Sequence, residues 1–106
     1  QKITKGPLVV DLSTQTACIN NEKVTLTSTE FKLLVLFVKN DGKVLARQQI
    51  LEHVWGSNVH LLDRTVDVHV SGLRNKCKAL KKYFESVYGT GYKFNSKPTN
   101  KKETAA

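Results

Sequence analysis

One apolar stripe constrains this chain more than any other feature. Val66, Val70, Leu73, Cys77 and Leu80 recur at steps of four, three, four and three. That spacing keeps side chains on one face of an α-helix and leaves the opposite face free. It predicts a long helix over about residues 63–82, with Arg64, Val68, Ser71, Gly72, Asn75 and Lys82 on or near the free face. A few residues on, Gly89-Thr90-Gly91 separates two short apolar and aromatic runs. This is a β-hairpin signal with a flexible tip, predicted over about residues 85–94.

The charge is placed unevenly around this pair of elements. Of the net +8, residues 1–63 hold seven Lys/Arg against six Asp/Glu, whereas residues 64–106 hold ten against three. The positive field is thus expected on the long helix, the hairpin and the tail, where a polyanion would be met. Two cysteines make no disulfide framework, and Cys77 lies on the apolar stripe, where it packs as a small hydrophobe. His53, His60 and His69 show no metal-ligand spacing with either cysteine. No nucleophile–base set, glycine-rich phosphate loop or metal cluster is visible, so neither an enzyme nor a cofactor is expected. There is no apolar run of membrane-spanning length and no signal-peptide pattern; a reduced, cytoplasmic setting is the expectation.

The 106 residues suffice for one core and not for two. Residues 1–7 read as a linker, with Gly6-Pro7 as a stop, residues 8–95 as the domain and residues 96–106 as a basic polar tail. Three β-like runs, Leu8–Asp11, Thr16–Ile19 and Lys23–Leu26, are separated by turn-forming Ser13-Thr14 and Asn20-Asn21, which predicts a small antiparallel meander. Thr27-Ser28-Thr29-Glu30 reads as a capping box opening a helix that is apolar on most sides and ends at Asn40-Asp41-Gly42. Val44-Leu45 adds a short strand before a second helix from Arg47 to Trp55, stopped by Gly56. Trp55 is open to two readings, base stacking or core, and its place at the end of an apolar stripe favours core. The segment from Gly56 to Asp63 is apolar for a connection; it packs under the long helix or meets a partner.

A long helix with a mixed polar face followed by a basic hairpin is the layout of a winged helix-turn-helix DNA reader. Four blocks in order, LTSTEFKLL, RQQILEHVWG, DRTVDVHVSGLR and YGTGYKF, closely resemble the C-terminal effector domain of OmpR/PhoB-type bacterial response regulators. The likeness spans roughly residues 8–94. It implies an α+β winged helix-turn-helix fold: an N-terminal four-stranded antiparallel sheet, three helices and a C-terminal β-hairpin wing. It further implies a third helix in the major groove, a wing at the adjacent minor groove and a loop before the third helix that meets RNA polymerase. Carried over by position, Arg64, Thr65, Val68, His69 and Arg74 become DNA-facing on the helix, beside Ser71, Gly72, Asn75 and Lys78. Tyr88, Thr90, Gly91, Tyr92 and Lys93 would serve in the wing, and Asn58, Val59, His60, Leu61 and Leu62 in the polymerase loop. The implied partners are double-stranded promoter DNA, RNA polymerase and a second copy of the full-length protein as a homodimer. The phospho-accepting receiver domain of that family would precede Gln1.

Departures from the family pattern bear on specificity. Ser71 and Gly72 stand where two arginines are familiar, and arginine forks onto guanine O6 and N7. Tyr88 stands where an arginine often precedes Gly-Thr-Gly, so minor-groove insertion there is weaker or different. Ala46 replaces a capping serine at the second helix. Base reading then falls to Thr65 and Val68 against thymine methyls and to His69 and Asn75 by hydrogen bonds, with Arg64 and Arg74 on phosphates. An alternative stays open: a winged-helix protein-interaction domain with weak or no specific DNA binding.

Overall fold

The computed structural model describes residues 1–56 and 63–97. The chain runs β1 (Lys2–Lys5), β2 (Leu8–Asp11), β3 (Thr16–Ile19), β4 (Glu22–Val24), α1 (Ser28–Lys39), β5 (Val44–Ala46), α2 (Arg47–Trp55), α3 (Asp63–Lys76), a 3-10 segment (Lys78–Tyr83), β6 (Phe84–Val87) and β7 (Gly91–Phe94). Strands β1 to β4 form an antiparallel meander in chain order, and the second sheet has the order β5-β7-β6.

Alternation explains the meander. Leu8 and Val10 of β2 pair with Ile19 and Ala17 of β3, and all four are buried on one face. Asn20 and Asn21 both adopt positive φ, at 53° and 67°, the backbone sense a two-residue hairpin turn needs and one that asparagine tolerates. At the other turn the Asp11 carboxylate accepts from the Ser13 and Thr14 amides.

Residues 1–7 are not a linker. Lys2–Lys5 pair with Leu8–Asp11 as an edge strand, and Gly6-Pro7 is the hairpin turn between them. Only Ile3 of this strand has an apolar side chain to pack, and exposed Lys2 helps to blunt the edge. Composition therefore disguised it as a linker.

The capping box at α1 is present in full. Thr27 Oγ1 accepts from the Glu30 amide at 3.1 Å, and Glu30 Oε1 accepts from the Thr27 amide at 2.9 Å. At α2 only half a box exists: Gln49 Oε1 accepts from the Ala46 amide, and the alanine returns nothing. Phe31, Leu33, Leu34, Phe37 and Val38 of α1 fill the core beneath α3. Edge-to-face contacts join Phe37, Phe84, Phe94 and Tyr83.

The long helix is shorter than its stripe. It ends at Lys76 instead of continuing to about residue 82, and Cys77, Leu80 and Tyr83 are buried along the tighter segment that follows. A 3-10 turn has three residues, so side chains three apart eclipse and the apolar line continues through a change of helix type. Burial pushes the Cys77 thiol up to about 11, which leaves it an inert core group. No helix among the described residues is long and apolar enough to cross a membrane.

Candidate nucleic-acid interface

With Val66, Val70 and Leu73 turned inward, α3 presents Arg64, Val68, Ser71 and Asn75 outward, all exposed and spaced as one helical face. Val68 is the anomaly, a β-branched apolar side chain 62% exposed in the middle of that face. Thr65 and Arg74 flank it, half-buried. His69 is also half-buried: its Nδ1 lies 2.8 Å from the Thr65 carbonyl oxygen and its ring stands edge-on to Trp55. Trp55 is half-buried against the core, in keeping with the core reading.

On the flank next to this face, Asp67 ties three elements together. Its Oδ1 accepts from Arg47 Nε of α2 at 2.8 Å and from the Tyr92 hydroxyl of β7, while the Arg47 guanidinium sits 5.3 Å from the Tyr92 ring centre. Burial pushes the Asp67 carboxyl up, but the Tyr92 and Arg47 donors outweigh it and hold the group below its ordinary value. Burial and the same carboxylate raise the Tyr92 phenol, so it remains a protonated donor. The joint fixes the hairpin beside α3.

Lys76 is consumed differently, by Glu30 at 2.6 Å. Arg64, Arg74, Lys78, Lys81 and Lys82 have no carboxylate partner among the described residues. Ser71, Arg74, Asn75, Lys78 and Lys81 line an open groove of about 380 Å³. Three cations with two neutral hydrogen-bonding side chains, and no carboxylate in the lining, suit a phosphate backbone.

The hairpin β6–β7 projects a three-residue tip, Tyr88-Gly89-Thr90, closed by a bond from the Thr90 amide to the Val87 carbonyl. Tyr88 at the tip is fully exposed. Between Phe84 and Phe94 the only formal charges are Glu85 and Lys93, which face each other across the ladder. The hairpin is thus neutral, against the expectation of a basic one; the charge count of the C-terminal half comes from α3, the 3-10 segment and the tail.

Residues 21–94 match the family model for the C-terminal region of transcriptional regulatory proteins. The chain belongs to this family, the effector domains of OmpR/PhoB-type response regulators. The family is one of transcription regulators, not of enzymes. The chain is 41% identical over 95 residues to the transcriptional regulatory protein VxrB of Vibrio cholerae, covering 90% of this chain and 38% of that protein. It is 40% identical over 95 residues to the phosphate regulon regulator PhoB of Escherichia coli, covering 85% of this chain and 40% of that protein. It therefore spans about two-fifths of the length of these relatives. Among solved structures it resembles the DNA-binding domain of Klebsiella pneumoniae RstA bound to the RstA box, with a TM-score of 0.83, 26% identity, and coverage of 92% of this chain and 99% of that one. The AdeR DNA-binding domain bound to an intercistronic region gives a TM-score of 0.80 at 29% identity, covering 88% of this chain and 98% of that one.

Within this OmpR/PhoB-type domain the expected site residues divide. Arg64, Val68, Ser71, Asn75 and Lys78 are exposed on α3 and the segment after it, with Arg74 and Thr65 at the margin. Tyr88 and Thr90 are exposed at the wing tip, and Lys93 is half-buried behind it. Three of the expected residues are turned away from the open face. A side chain at Gly72 would point at Glu30 Oε2, 3.3 Å away, so this position faces α1 instead of the outside. Gly91 is buried because β7 runs against β5, and a Cβ there would lie 2.0 Å from the Leu45 carbonyl oxygen. Tyr92 is buried and spends its hydroxyl on Asp67. The Asp67–Arg47–Tyr92 joint escaped sequence reasoning. Its members lie twenty and twenty-five residues apart, and no local spacing signals them. The loop residues Asn58, Val59, His60, Leu61 and Leu62 lie outside the described residues.

Proposed function

We propose that this domain is the DNA-reading output module of a response regulator, with α3 in the major groove of promoter DNA and the β6–β7 wing over the adjacent minor groove. The observation that carries this reading is the outward face of α3. Exposed Arg64, Val68, Ser71 and Asn75 adjoin a groove lined by Arg74, Lys78 and Lys81, which have no carboxylate partner among the described residues. The cations release counterions from the duplex and supply sequence-blind affinity. Val68 and Thr65 suit thymine methyls, and Asn75 suits base-edge hydrogen bonds. Relatives solved on DNA, RstA and AdeR, share the fold and support the assignment.

Arg64→Ala and Arg74→Ala test it. Each is expected to weaken duplex binding on every sequence and to flatten the slope of log affinity against log salt by about 0.9. Slopes unchanged in both variants would remove these residues from the contact list. An absence of duplex binding by the wild type at low salt would favour a protein-interaction role instead. In the whole regulator, the segment containing Val59, Leu61 and Leu62 meets RNA polymerase, and two copies bind repeated half-sites. The support is chemical: between Ser57 and Leu62 the segment is apolar and carries no Asp, Glu, Lys or Arg for phosphate to engage. Leu62→Ala combined with His60→Ala is expected to lower transcription activation while promoter affinity stays near wild type.

A further inference from the structure

Helix α1 keeps an apolar face that the core does not use. Leu33, Leu34 and Phe37 turn inward and are fully buried, and Glu30 reaches α3 at Lys76. On the opposite side of the same helix Val35 and Leu36 stay half-buried, between exposed Lys32 and Lys39. These four residues help to wall an open groove of about 400 Å³, which half-buried Leu12 of the β2–β3 turn and Val54 at the end of α2 also line. Among the described residues neither lysine has a carboxylate partner, and no Asp or Glu lines the groove. His53 is the one other ionisable side chain in that lining.

The spacing of these residues says what fits. Lys32 and Lys39 are seven residues apart, two helical turns or about 10.5 Å along the axis. The α1 wall runs from Ser28 to Lys39, long enough to take about three turns of a second helix. Two apolar side chains between two flanking cations match a helix with Leu or Phe at i+3 and i+4 and carboxylates at i and i+7. A phosphate backbone would meet the lysines but gain nothing from the apolar floor. A second copy of this chain does not supply such a helix: α1 and α2 carry one acid each, and Asp67 of α3 is already bonded to Arg47 and Tyr92. Because α1 meets α3 with its other side, a duplex on α3 leaves the groove open.

We propose that the groove along α1 is a docking site for an acidic amphipathic helix of a partner protein. Apolar side chains of that helix cover Val35, Leu36, Leu12 and Val54, and its carboxylates pair with Lys32 and Lys39. The apolar contact supplies affinity, while the paired charges set the register and disfavour basic partners. The surface is separate from the DNA-reading face, so the two readings stand or fall independently.

The test uses the full chain and an alanine-based model helix of about 17 residues, with Glu at i and i+7 and Leu at i+3 and i+4, followed by fluorescence anisotropy. The wild type is expected to bind it with or without saturating duplex, and to bind a scrambled peptide of the same composition about tenfold more weakly. Lys32→Glu combined with Lys39→Glu changes two exposed side chains, so its melting temperature is expected to match wild type. Its duplex affinity at physiological salt is expected to stay within about twofold, because the change lies on the far side of α1. This variant is expected to lose about tenfold in affinity for the acidic helix and to gain binding to a helix with Lys at i and i+7. Equal binding of the ordered and scrambled acidic peptides, or displacement by duplex, would put the peptide on the general positive surface and overturn the assignment. So would undiminished binding by the charge-reversed variant, or no binding by the wild type. Self-association of the wild type that the double reversal abolishes would make a second copy the occupant and overturn it too. If the wild type binds the acidic helix but no duplex, the docking site stands and the DNA-reading role falls.

Discussion

Gly91→Ala should be the most damaging single-methyl substitution in the wing. The added Cβ would sit 2.0 Å from the Leu45 carbonyl oxygen and 3.0 Å from Ala46 Cα. Both obstacles are backbone, so no rotamer change relieves them. Restoring an ordinary separation of about 3.5 Å requires β5 to retreat by roughly 1.5 Å, which breaks its pairing with β7. Overpacking a well-filled site costs typically 1–3 kcal/mol, and an obstacle that cannot rotate away belongs at the upper end, about 3 kcal/mol. For a domain of this size each kcal/mol lowers the melting temperature by about 4–8 °C, so a fall on the order of 12–24 °C is expected by circular dichroism. Gly89→Ala is the control in the same hairpin. Nothing lies within 4 Å of its Cβ, and only its φ of +75° is strained, a cost of about 1 kcal/mol. A Gly91→Ala melting temperature within about 4 °C of wild type, or one no lower than that of Gly89→Ala, would refute the close-approach argument.

Acid should unfold the domain through its paired carboxyls. For Glu30, burial raises the pKa but the Lys76 and Thr27 donors outweigh it and leave it lowered, and Asp41 and Asp67 are lowered in the same way by their own partners. A lowered folded pKa gives stability that is present above the unfolded value and lost as pH falls through the folded one. Lys76→Met removes the strongest donor to Glu30, so its acid-unfolding midpoint should move to higher pH; an unmoved midpoint would show the pair to be inconsequential. Gly72→Ala should stabilise the protein by about 0.5 kcal/mol. Helix propensity improves, and the Glu30 Oε2 it approaches is the end of a side chain whose two bonds are made through Oε1. A lower melting temperature would show that Glu30 cannot shift.

What was legible in the sequence was whatever depends on neighbours in the chain. The inward faces of β2 and β3, the Thr27–Glu30 box and the start of α2 at Arg47 are all written in local spacing or capping chemistry. So is the outward set Arg64, Val68, Ser71 and Asn75, because a stripe that fixes the inside of a helix also fixes its outside. Positions governed by distant partners were misread. Gly72 looks outward on a helical projection until Glu30, forty-two residues earlier, is placed against it. Gly91 and Tyr92 look like wing surface until β5 and Asp67 cover them. Strand β1 has too little apolar content to announce itself, and the helix change at Cys77 is silent because the buried line crosses it without a break.

The strand order β5-β7-β6 also dictates a timetable. The meander β1 to β4 pairs each strand with the one just made and can close while the rest is still being synthesised. Strand β5 cannot: Ala46 waits for Gly91, and Gly42 waits for the Phe94 carbonyl that receives its amide. At ordinary translation rates that interval is on the order of a few seconds. Throughout it, Val44–Ala46 offer an unpaired edge beside a helix whose apolar face is only partly covered. The β6–β7 hairpin is thus the clasp that this fold receives last. A regulator truncated within it would become an aggregation hazard before it became a defective DNA binder.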